Sequence, residues 1–273
     1  MRILILGASS YAGQAIAKTL AENHEVYGTY HTQKKSCLAE NKMFQMQLGD
    51  FDSIKSILDQ IQPQIIISSL RGDFQLQLEV HSIIADYLLT NKAGKIIFMS
   101  SSNVFDAAME KPHYESDKTN SQSDYGKFKM VCEHMLQEKL KERCVIIRIP
   151  QIFGKNCPRI LKLTEDTENK TPIITYPNLY MNYTSDVQIA EWIAYIMKEN
   201  LSGIFHIGTK DTCNYMRFQS ELSRILKLKE PVFQKEVSSS KCFQAVLPGR
   251  KEIPEKLHMN VTDVLEYLGQ VQK

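Results

Sequence analysis

Arg2-Ile3-Leu4-Ile5-Leu6-Gly7-Ala8-Ser9-Ser10-Tyr11-Ala12-Gly13 opens the chain with a solid apolar run that ends in glycine. An apolar run without alternation is what a strand buried on both faces requires, and such strands belong to parallel sheets. The chain then reads as a helix over Tyr11–Asn23, with Ile16, Ala17 and Leu20 on one side. Glycine in a strand-to-helix turn permits tight bending and close backbone approach, and the helix N-terminus beyond it favours a phosphate. Gly7 and Gly13 hold the outer positions of a Gly-x-x-Gly-x-x-Gly spacing whose middle position is Ser10. Gly7, Ser9, Ser10, Tyr11 and Gly13 are therefore the candidate dinucleotide-binding residues of this turn.

Outward from this turn the alternation continues. Glu25–Tyr30, Met43–Gln47, Ile65–Leu70, Lys95–Met99 and Cys144–Ile149 are strand candidates, and Ser53–Ile61, Leu76–Asn91 and Ser123–Leu140 are helix candidates. Strand, helix, strand at this spacing implies parallel pairing through right-handed crossovers, so the fold class is α/β with a doubly wound parallel sheet. The pattern loosens after Ile149, where Pro150, Gly154 and Pro158 read as breaks. Beyond them come an isolated strand-like run at Pro172–Pro177, a helix at Ser185–Asn200 and a strand at Gly203–Ile207. Helices at Met216–Leu226 and Val261–Leu268 complete the pattern. The expected organisation is a dinucleotide-binding domain over 1–150 and a substrate-binding region over 151–273, some of whose elements return to the first domain.

Composition narrows the function. The 273 residues carry 33 basic and 31 acidic side chains, interspersed rather than in blocks, so neither nucleic acid nor an anionic membrane is an expected partner. There is no signal-like N-terminus and no apolar run of membrane-spanning length, so the chain reads as soluble and cytoplasmic. Its six cysteines lack Cys-x-x-Cys and histidine at ligand spacing, so reduced thiols are expected and no metal site. Leu76–Asn91 and Ser123–Leu140 could pair across a homodimer.

The end of the second strand candidate bears on the cofactor. A carboxylate there would bind a ribose 2′-hydroxyl, whereas basic groups would accept a 2′-phosphate. Here Thr29-Tyr30-His31-Thr32-Gln33-Lys34-Lys35 has no carboxylate, which makes NADP(H) the preferred cofactor and NAD(H) the alternative, with His31, Thr32 and Lys34 as contacts. Asp50 and Phe51, after the third strand, could border the adenine, and Ser69, at the end of the fourth, could also touch the cofactor.

Tyr125 and Lys129 stand four residues apart on one helix face. With 12 Tyr and 25 Lys, chance predicts about one Tyr-x-x-x-Lys, and there are three: Tyr30/Lys34, Tyr114/Lys118 and Tyr125/Lys129. The first belongs to the adenosine end and the second to a polar loop without helical periodicity. Only the third follows a strand ending in serines, Ser100-Ser101-Ser102-Asn103, at the edge where ligands of such sheets bind. A serine there can hydrogen-bond a reacting oxygen while Tyr125 transfers a proton, its acidity increased by the Lys129 charge.

The order of glycine turn, strand-end serine and Tyr-x-x-x-Lys resembles the extended short-chain dehydrogenase/reductase family. Ser101–Asp106, Tyr114-Glu115, Tyr125–Lys129, Arg148–Gly154 and Gly203–His206 are similar to stretches of its dTDP-4-dehydrorhamnose reductases. The resemblance implies hydride transfer between a nicotinamide cofactor and the keto group of a nucleotide-linked sugar. It places the catalytic hydroxyl on Ser101, the acid on Tyr125 and support on Lys129, which would also touch the cofactor's ribose. The small-molecule substrate would meet Ser102, Asn103, Tyr125, Gln151 and Phe153. Three positions depart from the family pattern: Ser10 for a middle glycine, His81 for an asparagine, and Ser68-Ser69-Leu70-Arg71 for an Asn-Ala-Ala-like stretch. No Asp-Glu pair follows the serines, which argues against dehydration. The alternatives are a sugar-nucleotide epimerase and a non-catalytic NADP-binding protein resembling the regulatory subunit of methionine adenosyltransferase.

Overall fold

The computed structural model describes residues 1–91, 94–237 and 240–271. The first half alternates: β1 (Arg2–Leu6), α1 (Tyr11–Leu20), β2 (Glu25–Tyr30), β3 (Met43–Gln45), α2 (Phe51–Ile61), β4 (Ile65–Ser68), α3 (Phe74–Thr90), β5 (Lys95–Ser101), α4 (Asp124–Leu140) and β6 (Cys144–Ile149). The second half begins with β7 (Gln151–Phe153), α5 (Pro158–Glu168), β8 (Ile173–Thr175), β9 (Leu179–Met181), β10 (Tyr183–Ser185) and α6 (Asp186–Lys198). It continues through β11 (Gly203–His206), β12 (Cys213–Asn214), α7 (Tyr215–Ile225), β13 (Phe233–Lys235), β14 (Cys242–Gln244) and α8 (Val261–Val271).

Seven strands form one parallel sheet in the order β11-β6-β5-β4-β1-β2-β3. Within β1 the two-residue period divides the apolar run between the faces. Ile3 and Ile5 join a core with Ile16, Ala17, Trp192 and Ile193 of α1 and α6. Leu4 and Leu6 join a second core with Ile54, Ile84, Phe128 and Leu136 of α2, α3 and α4. Each such fully buried aliphatic side chain contributes about 1.5–3 kcal/mol, which is why a run with no polar position is stable only in a sheet covered on both sides. From β1 the chain winds outward to β2 and β3, then returns to β4 on the other side. The order reverses between β1 and β4, and a crevice opens there at the carboxyl ends of the strands.

Two elements from beyond residue 150 are built into this body. β11 lies beside β6 at the sheet edge, with Phe205 opposite Ile147, and α6 packs its Trp192 into the core shared with α1. The remaining elements form a third core over the carboxyl edge, with Phe153, Tyr183, Phe218, Leu222 and Val264 inside. Pro158, read from the sequence as a break, is instead the first residue of α5. Its fixed φ and missing N–H suit the first helical turn, where no intrahelical partner is needed. The two- and three-residue strands β7, β9, β10, β12 and β14 were not expected, since runs this short carry no readable period. Asp50 moves the start of α2 to Phe51, because its side chain accepts a hydrogen bond from Ser53 N at 3.0 Å. Among the described residues no helix is long and apolar enough to cross a membrane, and no cluster of His, Cys, Asp or Glu suits a metal ion.

Tyr183 stacks on Phe218 with ring centroids 3.6 Å apart, and its buried hydroxyl has no hydrogen-bond partner among the described residues. An unpaired buried hydroxyl costs about 1–3 kcal/mol. Tyr183→Phe is therefore expected to raise the unfolding free energy by that order, read as a higher urea midpoint, and a lower midpoint would show that the hydroxyl is satisfied in solution.

Candidate active site

The glycine turn is dictated by close backbone approach. Gly7 has φ +77°, and a Cβ on it would lie 2.8 Å from the Ser69 carbonyl oxygen. A Cβ on Gly13 would lie 2.3 Å from the Gly7 carbonyl. Ser10 occupies ordinary extended backbone, with φ −69° and ψ 161°, so the middle position needs no glycine. Its hydroxyl caps α1 by accepting from Gly13 N at 3.1 Å and also meets Ser69 Oγ at 2.9 Å. The departure at Ser10 thus joins the turns after β1 and β4. Tyr11 donates its phenol to Asp186 at 3.0 Å, and Tyr267 donates to the same carboxylate at 2.8 Å. That carboxylate ties the starts of α1 and α6 to α8.

A continuous cleft follows the carboxyl edge. The end beside β2 and β3 is lined by Gly7, Ser9, Tyr30, His31, Gln47 and Leu48. Thr32 and Lys34 are not among the lining residues. Lys34 pairs with Glu40 at 3.1 Å, and its ammonium lies 5.8 Å from the Tyr30 ring centroid. Asp50 and Phe51 also lie outside, one capping α2 and the other packed against the core beneath it. That side of the cleft is lined instead by Met46, Gln47 and Leu48, whose apolar and polar mix resembles any strand exit. The middle stretch, a cavity of about 510 Å³, runs from Ser10, Tyr11 and Ser69 to Tyr125 and Lys129. The far stretch, about 350 Å³, is lined by Ser101, Ser102, Asn103, Tyr125, Gln151 and Gln244, among others. Phe153 is not part of it. This side chain is buried against Tyr183 and Phe218, because the alternation of β7 points it into the third core.

At the junction of the middle and far stretches stand Ser101, Tyr125 and Lys129. The Ser100 hydroxyl spends its proton on Glu133 Oε1, so towards the cleft it can only accept. Ser101 faces the cleft, with its hydroxyl donating to Asn103 Oδ1 at 2.9 Å and meeting the Tyr125 phenol. Ser123 caps α4 by accepting from Gly126 N at 3.1 Å and is held by Asp106, so the helix starts one residue before Tyr125. Burial works to raise the Asp106 carboxyl, but hydrogen bonds from Ser123, Gln122 and Ser121 hold it below the usual carboxylate value.

The electrostatics differ from the expectation for Lys129. Its Nζ donates to the Met99 carbonyl at 2.8 Å and lies 4.5 Å from the Phe98 ring centroid, and burial lowers its pKa to about 8. Burial raises the Tyr125 phenol, while the Ser101 hydroxyl and the charges of Arg71 and Arg159 pull it down without overcoming burial. The cations acting on the phenol are these two arginines. In the sequence Arg71 stood only within a stretch that departs from the family pattern and Arg159 not at all, because they come from a loop and from an unexpected helix.

His81 lies beneath the cleft, fully buried. The Gln77 carbonyl at 2.6 Å can only accept, so Nδ1 carries the ring proton and Nε2 accepts from Ser68 Oγ at 2.8 Å. Where the family pattern has asparagine, this histidine thus anchors the end of β4.

A sequence profile described as the RmlD substrate binding domain matches residues 73–264. The spore coat polysaccharide biosynthesis protein SpsK of Bacillus subtilis is 22% identical over 237 residues, covering 81% of this chain and 78% of that protein. The structure of WbmH from Bordetella bronchiseptica in complex with NAD+ superposes with a TM-score of 0.83 at 13% identity, covering 99% of this chain and 96% of that one. A dTDP-4-dehydrorhamnose reductase from Bacillus anthracis, in complex with NADP, superposes at 0.78 with 15% identity, covering 99% and 98%. At these identities the two superpositions establish a common fold.

Burial holds His81 at a pKa of about 3 against a usual 6.5, with the Lys129 charge contributing. The unfolded chain therefore binds the extra proton as pH falls below 6.5, and the folded state loses stability over that window. The loss between pH 7 and pH 5 should be on the order of 2 kcal/mol from this group. Urea unfolding of wild type and His81→Asn at both pH values checks it. The variant should lose less stability on acidification, and equal losses would contradict a buried neutral imidazole.

Proposed function

The chain belongs to the RmlD substrate binding domain family, and we propose that it is a nicotinamide-dependent reductase of a nucleotide-linked keto-sugar, probed most simply with 4-keto-6-deoxy sugars, with Tyr125 as proton donor. The observation that carries this reading is one continuous cleft from the glycine turn to a junction where Ser101, Tyr125 and Lys129 meet. The cradle fits a dinucleotide, since Gly7 and Gly13 leave no room for a Cβ and α1 points its N-terminus into the cleft.

A bound nicotinamide would supply the hydride. Gly7, Ser9, Ser10, Ser69 and the start of α1 would hold its phosphates, and Tyr30, His31 and Leu48 its adenosine. Lys129, on the cleft floor, would support the ribose beside the ring. NADP(H) is the preferred form, because β2 ends without a carboxylate and His31 is the basic group of that loop lining the cleft.

On turning from Asn103 Oδ1, the Ser101 hydroxyl would donate its hydrogen bond to the carbonyl oxygen and so stabilise the charge that develops there. Tyr125 would deliver the proton. A phenol raised by burial is fully protonated at neutral pH, which suits an acid in reduction better than a base in oxidation. Ser102, Asn103, Gln151 and Gln244 would orient the sugar, as they line the far stretch with the reacting groups.

Fluorescence titration should show NADPH binding more tightly than NADH, and a reversed preference would contradict the assignment of the His31 loop. With dTDP-linked 4-keto-6-deoxy sugars, Tyr125→Phe should retain NADPH binding and lose roughly a hundredfold or more in turnover. An unimpaired variant would remove Tyr125 from the reaction.

A further inference from the structure

The side chain of Tyr11 leaves the turn to which its backbone belongs. The residue opens α1, yet its ring packs against the third core, among elements from beyond residue 150. There its phenol and that of Tyr267, on α8, donate to separate oxygens of Asp186, at 3.0 Å and 2.8 Å. Asp186 is itself the first residue of α6, whose opening turn leaves N–H groups without intrahelical partners and so favours a carboxylate. Burial and the Asp186 charge raise both phenols, so both keep their protons and remain donors at neutral pH.

The cluster leaves no slack around that carboxylate. Gly154, just after β7, comes so close that a Cβ on it would lie 2.1 Å from the Tyr11 hydroxyl and 2.3 Å from Asp186 Oδ1. The strand before it supplies Gln151 and Ile152 to the cleft. Tyr11 lines the middle stretch, whereas neither Asp186 nor Tyr267 is among the described residues that line the cleft. The hydrogen bonds therefore run from the cleft wall, through a carboxylate outside it, to a helix that does not reach it.

An anion held at the N-terminus of α1 would fix the first turn of that helix, and with it the Tyr11 phenol. A phenol fixed on one oxygen holds the carboxylate in the orientation that offers its other oxygen to Tyr267. Coupling of this kind is reciprocal, so a helix anchored at Tyr267 also favours the bound anion.

We propose that Asp186 is a positioning residue that couples the phosphate-holding turn to α8, so that NADPH binding steadies α8 and the anchored helix tightens NADPH binding. The coupling rests on the reductase reading, which supplies the identity of the ligand in the cleft.

Hydrogen–deuterium exchange of the full chain, with and without saturating NADPH, tests it, and NADPH fluorescence measures the affinity. In the wild type NADPH should slow exchange of the α8 amides. Tyr267→Phe should abolish that slowing and weaken NADPH binding by about fivefold or more, although the removed hydroxyl lies outside the cleft. With Tyr11→Phe already in place, Tyr267→Phe should weaken binding no further, because both act through one carboxylate. Both variants keep their rings in the third core and are expected to fold. A clasp that only stabilises the fold would speed α8 exchange in Tyr267→Phe equally with and without NADPH. That result overturns the proposal, as does α8 exchange unaffected by NADPH in the wild type, or Tyr267→Phe binding NADPH like the wild type. Each of these leaves the reductase reading intact. If NADPH does not bind the wild type, the reductase reading fails and the coupling with it.

Discussion

The buried ion pair between Arg148 and Glu133 holds together the end of the cleft that carries Ser101 and Tyr125. Arg148 lies on β6 and donates twice to Glu133 Oε2, at 2.7 and 3.2 Å, and once to Oε1 at 3.1 Å, while Ser100 of β5 donates to the same carboxylate. Glu133 stands one helical turn beyond Lys129 and two beyond Tyr125, so the pair fixes the face of α4 that meets the sheet. Arg148 also lies 5.1 Å from the Phe105 ring, which stacks on His113 at 4.1 Å and so braces the wall formed by the loop before α4. Charges taken out of water are tolerated only when paired, here with Arg148 Nη1 alone left without a hydrogen-bond partner among its guanidinium nitrogens, and loss of one partner would cost about 3–5 kcal/mol. The interaction serves positioning: it sets Ser101 and Tyr125 at the mouth of the same cavity.

That arrangement explains which parts of the molecule were legible in the residues. β1 could be read from four consecutive apolar side chains, because a strand covered on both faces admits no polar position. Tyr125 could be separated from two rival pairs, because a helix and a preceding strand end leave marks in the pattern. Arg71 and Arg159 could not be found in this way. One sits in a turn and the other on a helix whose entry resembles a break, and their meeting depends on how the second half covers the sheet edge. Phe153 failed for a related reason: in a three-residue strand, one position decides between cleft and core. Lys34 and Asp50 have the chemistry expected of cofactor contacts, but nearer partners, Glu40 and the start of α2, take up their side chains.

Ser10 and His81, the two departures that most questioned the site, are structural parts of it. Ser10 closes the N-terminus of α1 and links it to the turn after β4. His81 holds Ser68 from below and remains neutral because burial disfavours its charge. Each replaces a small or amide residue by a group that fixes the same loop through a different hydrogen bond. The loop so fixed carries Ser69 and Arg71, and the cleft keeps its path from the end of β2 to Tyr125.

The orientation of the cofactor along that path is tested most directly by a crystal structure of the protein with NADPH. The adenosine should lie against Tyr30, His31 and Leu48, the pyrophosphate at the start of α1, and the nicotinamide ring in contact with Tyr125. A cofactor bound in the reverse sense, or outside this cleft, would contradict it.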